Sequence, residues 1–222
     1  MSGSNLIDLS HTVEHGMITY KGLPAPIICD YLSREASRAR YAPGTEFQIG
    51  KIEMVANTGT YLDSPFHRYP DGDDLSQLKL EALADLDCVV VRATNRRARA
   101  INDLGIDLAT VRGKALLIHT GWDAHWRSDQ YFENHPHLTG ELAKQLVGAG
   151  VALVGIDSFN IDSIDDGTRP VHSALLGAGI PIVEHLCGLS AVPDNGARFF
   201  AVPVKVKGMG TFPVRAFART PE

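Results

Sequence analysis

Apolar positions in this chain fall into short runs broken by polar and turn-forming residues, and few repeat at helical spacing. That pattern predicts many short strands and few long helices. Residues 6–9 form a short apolar strand. Residues 47–55 alternate loosely and read as a strand running into the glycine-bearing segment 57–60. Residues 87–92, 114–119 and 151–156 are nearly continuous apolar runs, as expected of strands buried on both faces. Residues 180–184 form another short strand. Residues 199–207 contain Pro203, which predicts an edge or bent strand. Helical pieces are expected at 78–83, at 107–111 for one turn, at 139–148 as an amphipathic helix capped by glycine, and from His172 to near Gly177. Residues 20–26 and 65–74 read as loops, because Pro and Gly gather there, joined in the second by Asp. The strand-helix-strand unit over 114–156 predicts a right-handed crossover. The composite is an α+β (mixed α/β) fold in a single domain, residues 1–222.

Composition narrows the function. At 222 residues the chain has room for one sizeable core and does not demand a second. A net charge of −5 without a basic block excludes a nucleic-acid or anionic-membrane surface as the expected role. The arginine cluster within 92–99 is short and reads as a solvated turn. The longest apolar runs are far below membrane-spanning length. Residues 1–5 lack the charged and apolar regions of a secretory signal. Cys29, Cys88 and Cys187 are well separated and odd in number, which fits reduced, buried thiols in a cytoplasmic protein.

The most informative stretch is Asn57-Thr-Gly59-Thr60-Tyr61-Leu-Asp63-Ser-Pro65-Phe66-His67. It sets a hard oxygen ligand and an imidazole close together on what reads as an irregular loop, able to converge on one ion. The bland alternative is a turn cap plus a surface imidazole. A second stretch runs from His172 to Glu184. A carboxylate ending an apolar strand must be paired or metal-bound if it is buried, and otherwise marks a surface strand end. His172 is either a ligand or a helix cap. A third stretch, Gly155-Ile-Asp157-Ser-Phe-Asn160-Ile-Asp162, resembles a site rim, although Asn160 and Asp162 fit an ordinary strand-to-loop transition. His11-Thr-Val-Glu14-His15 has the spacing of an inverted zinc-peptidase motif. Its β-branched residues and the following Gly16 argue against the helix that motif needs. His125, His135 and His137 are expected on the surface. Trp122, Trp126 and Phe66 are candidate pocket walls.

These stretches, in this order, resemble the cyclase/kynurenine-formamidase-like family, whose signature reads His-x-Gly-Thr-His-x-Asp-x-Pro-x-His. The blocks Asp8-Leu9-Ser10, Tyr20-Lys-Gly22, His119-Thr-Gly-Trp122 and Gly155-Ile-Asp157 extend the likeness over about residues 6 to 206. The resemblance implies a swivelling β/β/α fold, a homo-oligomer (dimer or tetramer), a zinc or manganese site, and hydrolysis of an amide, formamide or lactam. Carried over, Asp63, His172 and Glu184 are metal ligands, His67 is the general acid/base, and Tyr20 is an aromatic substrate contact beside Phe66. The chain departs from the signature at Asn57 and Tyr61, where the family has histidine ligands. That leaves a reduced site for one divalent ion, manganese or zinc. Asn57 becomes a candidate substrate contact, and Tyr61 a candidate catalytic hydroxyl or a space filler. The expected substrate is a small cyclic or aryl amide attacked by metal-activated water. Two rivals share the scaffold. One is a metal-free catalyst of isomerase or cyclase type using His67 with Tyr61. The other is a non-catalytic ligand-binding protein.

Overall fold

The computed structural model describes residues 5–94, 96 and 98–221. Much of the arginine-rich segment is therefore seen, but Asn95 and Arg97 lie outside the described residues, as does most of the N-terminal stretch read above. In chain order the strands are β1 Leu6–Asp8, β2 Ile27–Leu32, β3 Ile49–Glu53, β4 Tyr61–Asp63, β5 Leu86–Arg92, β6 Ala100–Ile101, β7 Ala115–His119, β8 His137–Leu138, β9 Leu153–Ile156, β10 Ile182–Glu184, β11 Asn195–Phe200, β12 Thr211–Pro213 and β13 Phe217–Arg219. The α-helices are α1 Arg34–Ser37, α2 Gly140–Ala149 and α3 Pro170–Gly177. Nine strands form one sheet in the order β1-β13-β11-β5-β7-β9-β10-β4-β12. Its middle, β5-β7-β9-β10, is parallel, and the flanking pairings are antiparallel.

The continuous apolar runs explain the centre. Strand alternation sends Val89, Val91, Leu116 and Ile118 to one face and Cys88, Val90, Ala115 and Leu117 to the other, and both faces are buried. On the first face α2 supplies Leu142, Ala143 and Leu146, and α3 supplies Val171, Leu175 and Leu176. The second face packs against Leu9, Leu62, Leu186, Phe199 and Ala218. Truncating a central residue such as Leu117 to alanine leaves a cavity in a layer with no slack, at a cost of about 2–5 kcal/mol. Helix α2 begins at an N-cap Thr139, whose hydroxyl accepts from Leu142 N at 3.3 Å. The glycine that ends it is Gly150 (φ +76°), while Gly148 lies inside the helix.

Several short elements differ from expectation. Strand β3 falls within the strand read at 47–55, but its partner β2, the three-residue β4, and the C-terminal strands β12 and β13 were not foreseen as such. Strand β11 ends at Phe200, and residues 201–206 are irregular. Pro203 thus follows the ladder rather than bending it. His135 is buried rather than exposed, with Nε2 2.9 Å from the Asp162 carbonyl, and Cys29, expected buried, is exposed because β2 shows most of its side chains to solvent. The His11–His15 motif is irregular backbone, as expected. His11 stacks on Trp126, Glu14 pairs with Arg127 at 2.8 Å, and His15 accepts from Ile28 N. Among the described residues no helix is long and apolar enough to cross a membrane.

Candidate active site

Register, rather than an irregular loop, assembles the site. In β4 the period of two sends Leu62 into the core and turns Tyr61 and Asp63 to the opposite face. Strand β4 lies between β10 and β12, so Tyr61 stands opposite Glu184 and Asp63 stands opposite both Ile182 and Thr211. The chain then enters a 3-10 turn, Pro65–His67, with proline at its start. Gly210, just before β12, runs so close to this turn that a Cβ on it would lie 2.3 Å from His67 N, so the chain can enter β12 here only through glycine.

Helix α3 delivers His172. Pro170 opens the helix, two residues before the start read from sequence. Asp162 caps it from a distance: its carboxylate accepts from Val171 N at 2.7 Å and His172 N at 3.0 Å, and meets His172 Nδ1 at 2.7 Å. The last contact fixes the tautomer with Nδ1 protonated and turns Nε2 toward the carboxylates. His172 Nε2 lies 3.7 Å from both Asp63 Oδ2 and Glu184 Oε1. That is too long for a hydrogen bond, and the three groups act on one another as neighbouring charges.

Glu184 is held at both oxygens. Oε1 accepts from Ile161 N at 2.6 Å and Oε2 from the Tyr61 hydroxyl at 2.6 Å. Burial and the Glu184 charge keep the Tyr61 phenol well above its ordinary pKa, so it stays protonated and its hydrogen is committed to Glu184. Tyr61 is therefore not a free donor for an oxyanion. The Tyr20 hydroxyl continues the chain, 3.1 Å from that of Tyr61 and receiving from Asn160 Nδ2 at 2.8 Å.

His67 is placed by Thr211. The Thr211 hydroxyl bonds Asp63 Oδ1 and lies 2.8 Å from His67 Nδ1. The single hydroxyl hydrogen goes to the carboxylate, so His67 Nδ1 must be the donor to Thr211, leaving Nε2 with a lone pair.

Electrostatics follow from burial. Asp63, Asp162 and Glu184 are all buried within reach of one imidazole. Burial alone lowers the His172 pKa, but the charges of Glu184 and Asp63 and the bond to Asp162 outweigh it and raise it to about 10. Burial pushes Glu184 up to about 7. Asp63 stays below the usual carboxylate range: burial opposes this, but His172, His67 and Thr211 prevail.

The donors suit a divalent cation. Asp63, His67 and His172 each offer a ligand atom within 4.8 Å of the others, and Asp63 Oδ2 is fully buried with no hydrogen-bond partner among the described residues. Glu184 adjoins this group through His172. The mixed oxygen and imidazole set is open to manganese as well as zinc.

Tyr20, Asn57, Tyr61, His67, His172 and Glu184 line one cleft of about 300 Å³, while Asp63 lies buried behind it. Phe66 does not line it: successive residues of a 3-10 turn diverge by about a third of a revolution, so His67 and Phe66 leave on different sides. Trp122 and Trp126 are also elsewhere, one bonded to the Tyr131 carbonyl and the other stacked on His11. Asp157 serves the backbone turn at Thr120 and Gly121. Sequence reasoning missed Thr211, Arg68 and Arg169 and took Asn160 and Asp162 for ordinary loop residues. Asp162 carried the one usable signal, an acid preceding a Pro-led helix.

The Cyclase family model matches residues 7–163. Kynurenine formamidases of Bacillus cereus and Bacillus mycoides are 28% identical, aligned over 99% of this chain and 99% of theirs. Isatin hydrolase A from Labrenzia aggregata superposes with a TM-score of 0.81 at 20% identity, covering 98% of this chain and 94% of that one. A structure described as a potential metal-dependent hydrolase with cyclase activity gives 0.78 at 23% identity, covering 98% of both chains. The chain belongs to the cyclase family and has the mixed α/β fold of its members.

Proposed function

We propose that this protein hydrolyses an amide-type C–N bond of a small aryl or cyclic substrate, such as a formamide, lactam or imide. In this reading Asp63, His172 and Glu184 hold one divalent ion, manganese or zinc, and His67 is the general acid/base. The observation that carries it is the convergence of His172 on the unpartnered Asp63 Oδ2, with His67 and Glu184 alongside. The formamidase and isatin hydrolase names of its relatives support the reaction class.

When bound, the ion supplies polarisation of the scissile carbonyl and a more acidic attacking water. His67 Nε2, free because Nδ1 is engaged by Thr211, takes the proton from that water and returns it to the leaving nitrogen. Such transfer is worth about 10²–10⁴-fold. Tyr61 and Ile161 N hold the Glu184 carboxylate in one orientation. Asp162 does the same for His172. Tyr20 and Asn57 supply the cleft wall.

One observation favours the metal-free rival. The His172 imidazolium already offsets part of the buried carboxylate charge, and Tyr61 stands where the family has a histidine ligand. The test is to purify the protein without a chelating tag, measure metal per chain by elemental mass spectrometry, and assay aryl formamides and isatin, beside Asp63→Ala and His67→Gln. About one equivalent of manganese or zinc, lost in Asp63→Ala, with turnover lost in His67→Gln, is expected. Protein that stays metal-free after dialysis against both ions, or full turnover in His67→Gln, overturns it.

A homo-oligomer is also inferred. The β2–β3 hairpin stands out with apolar side chains on show, Tyr31 at 75% and Ile52 at 57% exposed, joined by Ile27 and Ile49. Light scattering on the wild type and Ile52→Glu is expected to give a dimer or tetramer that dissociates in the variant. A monomeric wild type refutes it.

A further inference from the structure

Two arginines stand at the cleft beside the site histidines. Arg68 follows His67 directly, and Arg169 caps the helix that carries His172. Both line the cleft, and Ser173 ties them together: its hydroxyl accepts from Arg68 Nε at 3.3 Å, and its N–H donates to the Arg169 carbonyl at 2.9 Å. Arg169 Nη1 also donates to the Ser163 carbonyl at 3.0 Å. Among the described residues neither guanidinium has a carboxylate within the 4.0 Å of an ion pair. Arg169 is half-buried and sits in the left-handed backbone region at φ +49°, a conformation that costs a non-glycine residue free energy.

The floor of the cleft has the opposite character. Asp63, Asp162 and Glu184 are buried around a single imidazole, which offsets only part of their charge. Two guanidiniums line the cleft, neither with a carboxylate in ion-pair reach among the described residues, and add positive charge there. A guanidinium is also the side chain whose forked donors best match a planar carboxylate.

We propose that Arg68 and Arg169 form a carboxylate-binding subsite, and that the substrate is an aryl or cyclic amide bearing an acidic group. The carboxylate sits on the His67–His172 side of the cleft, and the Tyr20 and Leu23 side receives the apolar part. This rests on the amide-hydrolase reading and narrows its substrate class.

The test compares a matched pair of substrates, N-formylanthranilate and neutral formanilide, on the full-length protein supplied with manganese or zinc. Wild type is expected to favour the anionic substrate in kcat/KM. Arg169→Gln and Arg68→Gln are each expected to lower kcat/KM for N-formylanthranilate about tenfold or more, chiefly through KM, with a much smaller change for formanilide. Equal kcat/KM for the two substrates in wild type, or equal losses on both in the variants, overturns the subsite. If neither substrate turns over, the hydrolase reading fails separately, and anthranilate binding by calorimetry still decides the subsite. Salt-sensitive binding weakened by both variants supports it, and binding that is absent or indifferent to the arginines overturns it.

Discussion

Thr211→Val removes one hydroxyl and keeps the shape of the side chain. That hydroxyl is the hinge between Asp63 and His67, donating to the carboxylate and accepting from Nδ1 at 2.8 Å. Asp63 is fully buried, and its other oxygen already lacks a hydrogen-bond partner among the described residues. The variant therefore strips the remaining donor from a buried charge, which costs about 1.5–3 kcal/mol of stability. His67 loses more than a contact. Without an acceptor at Nδ1 the ring is free to take the other tautomer or to rotate, and the lone pair at Nε2 is no longer held toward the cleft. General acid/base help is worth about 10²–10⁴-fold, so disorienting the base is expected to lower kcat about 10- to 100-fold. The change in KM is expected to be much smaller. Thr211→Ser, which restores the hydroxyl, is expected to recover kcat to within a few-fold of wild type. Steady-state hydrolysis of an aryl formamide and thermal melts measure both effects. A Thr211→Val enzyme with wild-type kcat and an unshifted melt refutes the hinge.

Asp162→Asn is expected to lose about 2–4 kcal/mol in chemical denaturation, because one carboxylate serves three N–H groups and an amide cannot. Metal affinity, measured by chelator competition, is expected to fall about 10- to 100-fold with it, and unchanged affinity tells against His172 as a ligand. His135 has its pKa lowered to about 4 by burial, against 6.5 when free, so below pH 6.5 the unfolded chain takes up a proton that the folded chain refuses. Relative to His135→Gln, wild type is expected to lose about 1.4 kcal/mol per pH unit as pH falls from 6.5 toward 4. Urea melts of both proteins measure this. The comparison with the variant is needed because Glu184 and Asp157, both raised to about 7, shift total stability in the opposite sense over part of that range. A pH-independent difference between the two proteins refutes it.

The parallel centre of the sheet was legible because its strands are buried on both faces and so appear as unbroken apolar runs. Residues 87–92, 114–119 and 151–156 foreshadow β5, β7 and β9 to within a residue or two. Helix α2 was legible through its cap and its stripe. The elements that escaped are those whose identity depends on partners. Strand β4 is three residues long, lies between a glycine segment and a proline, and is a strand only because β10 and β12 flank it. Strand β12 carries a proline at its end and is ordered by the same pairing. Strand β2, partner of the strand that could be read at 47–55, alternates poorly because most of its side chains are exposed on both faces. Local propensity cannot see any of this.

The site divides along the same line. Asp63, His67, His172 and Glu184 came together through the family resemblance: taken alone, each stretch also had an ordinary reading, as a turn cap with a surface imidazole, a helix cap or a strand end. Thr211, Asp162 and the two arginines are ordinary residues made significant by what stands opposite them. The Tyr61 position shows why the distinction matters. Read from sequence, a tyrosine in place of a ligand histidine looks like the loss of half a metal site. In the folded chain its phenol is a buried donor 2.6 Å from Glu184, the carboxylate that faces His172. Tyr61 thereby lowers the cost of burying that carboxylate without any ion. Tyr61→Phe therefore separates two meanings of the replacement. If the tyrosine supports a one-ion site, removing its hydroxyl weakens metal binding and lowers stability together, because Glu184 loses its hydrogen-bond donor and its orientation. If the tyrosine only satisfies the buried carboxylate in a site without an ion, stability falls and no metal binding is there to lose.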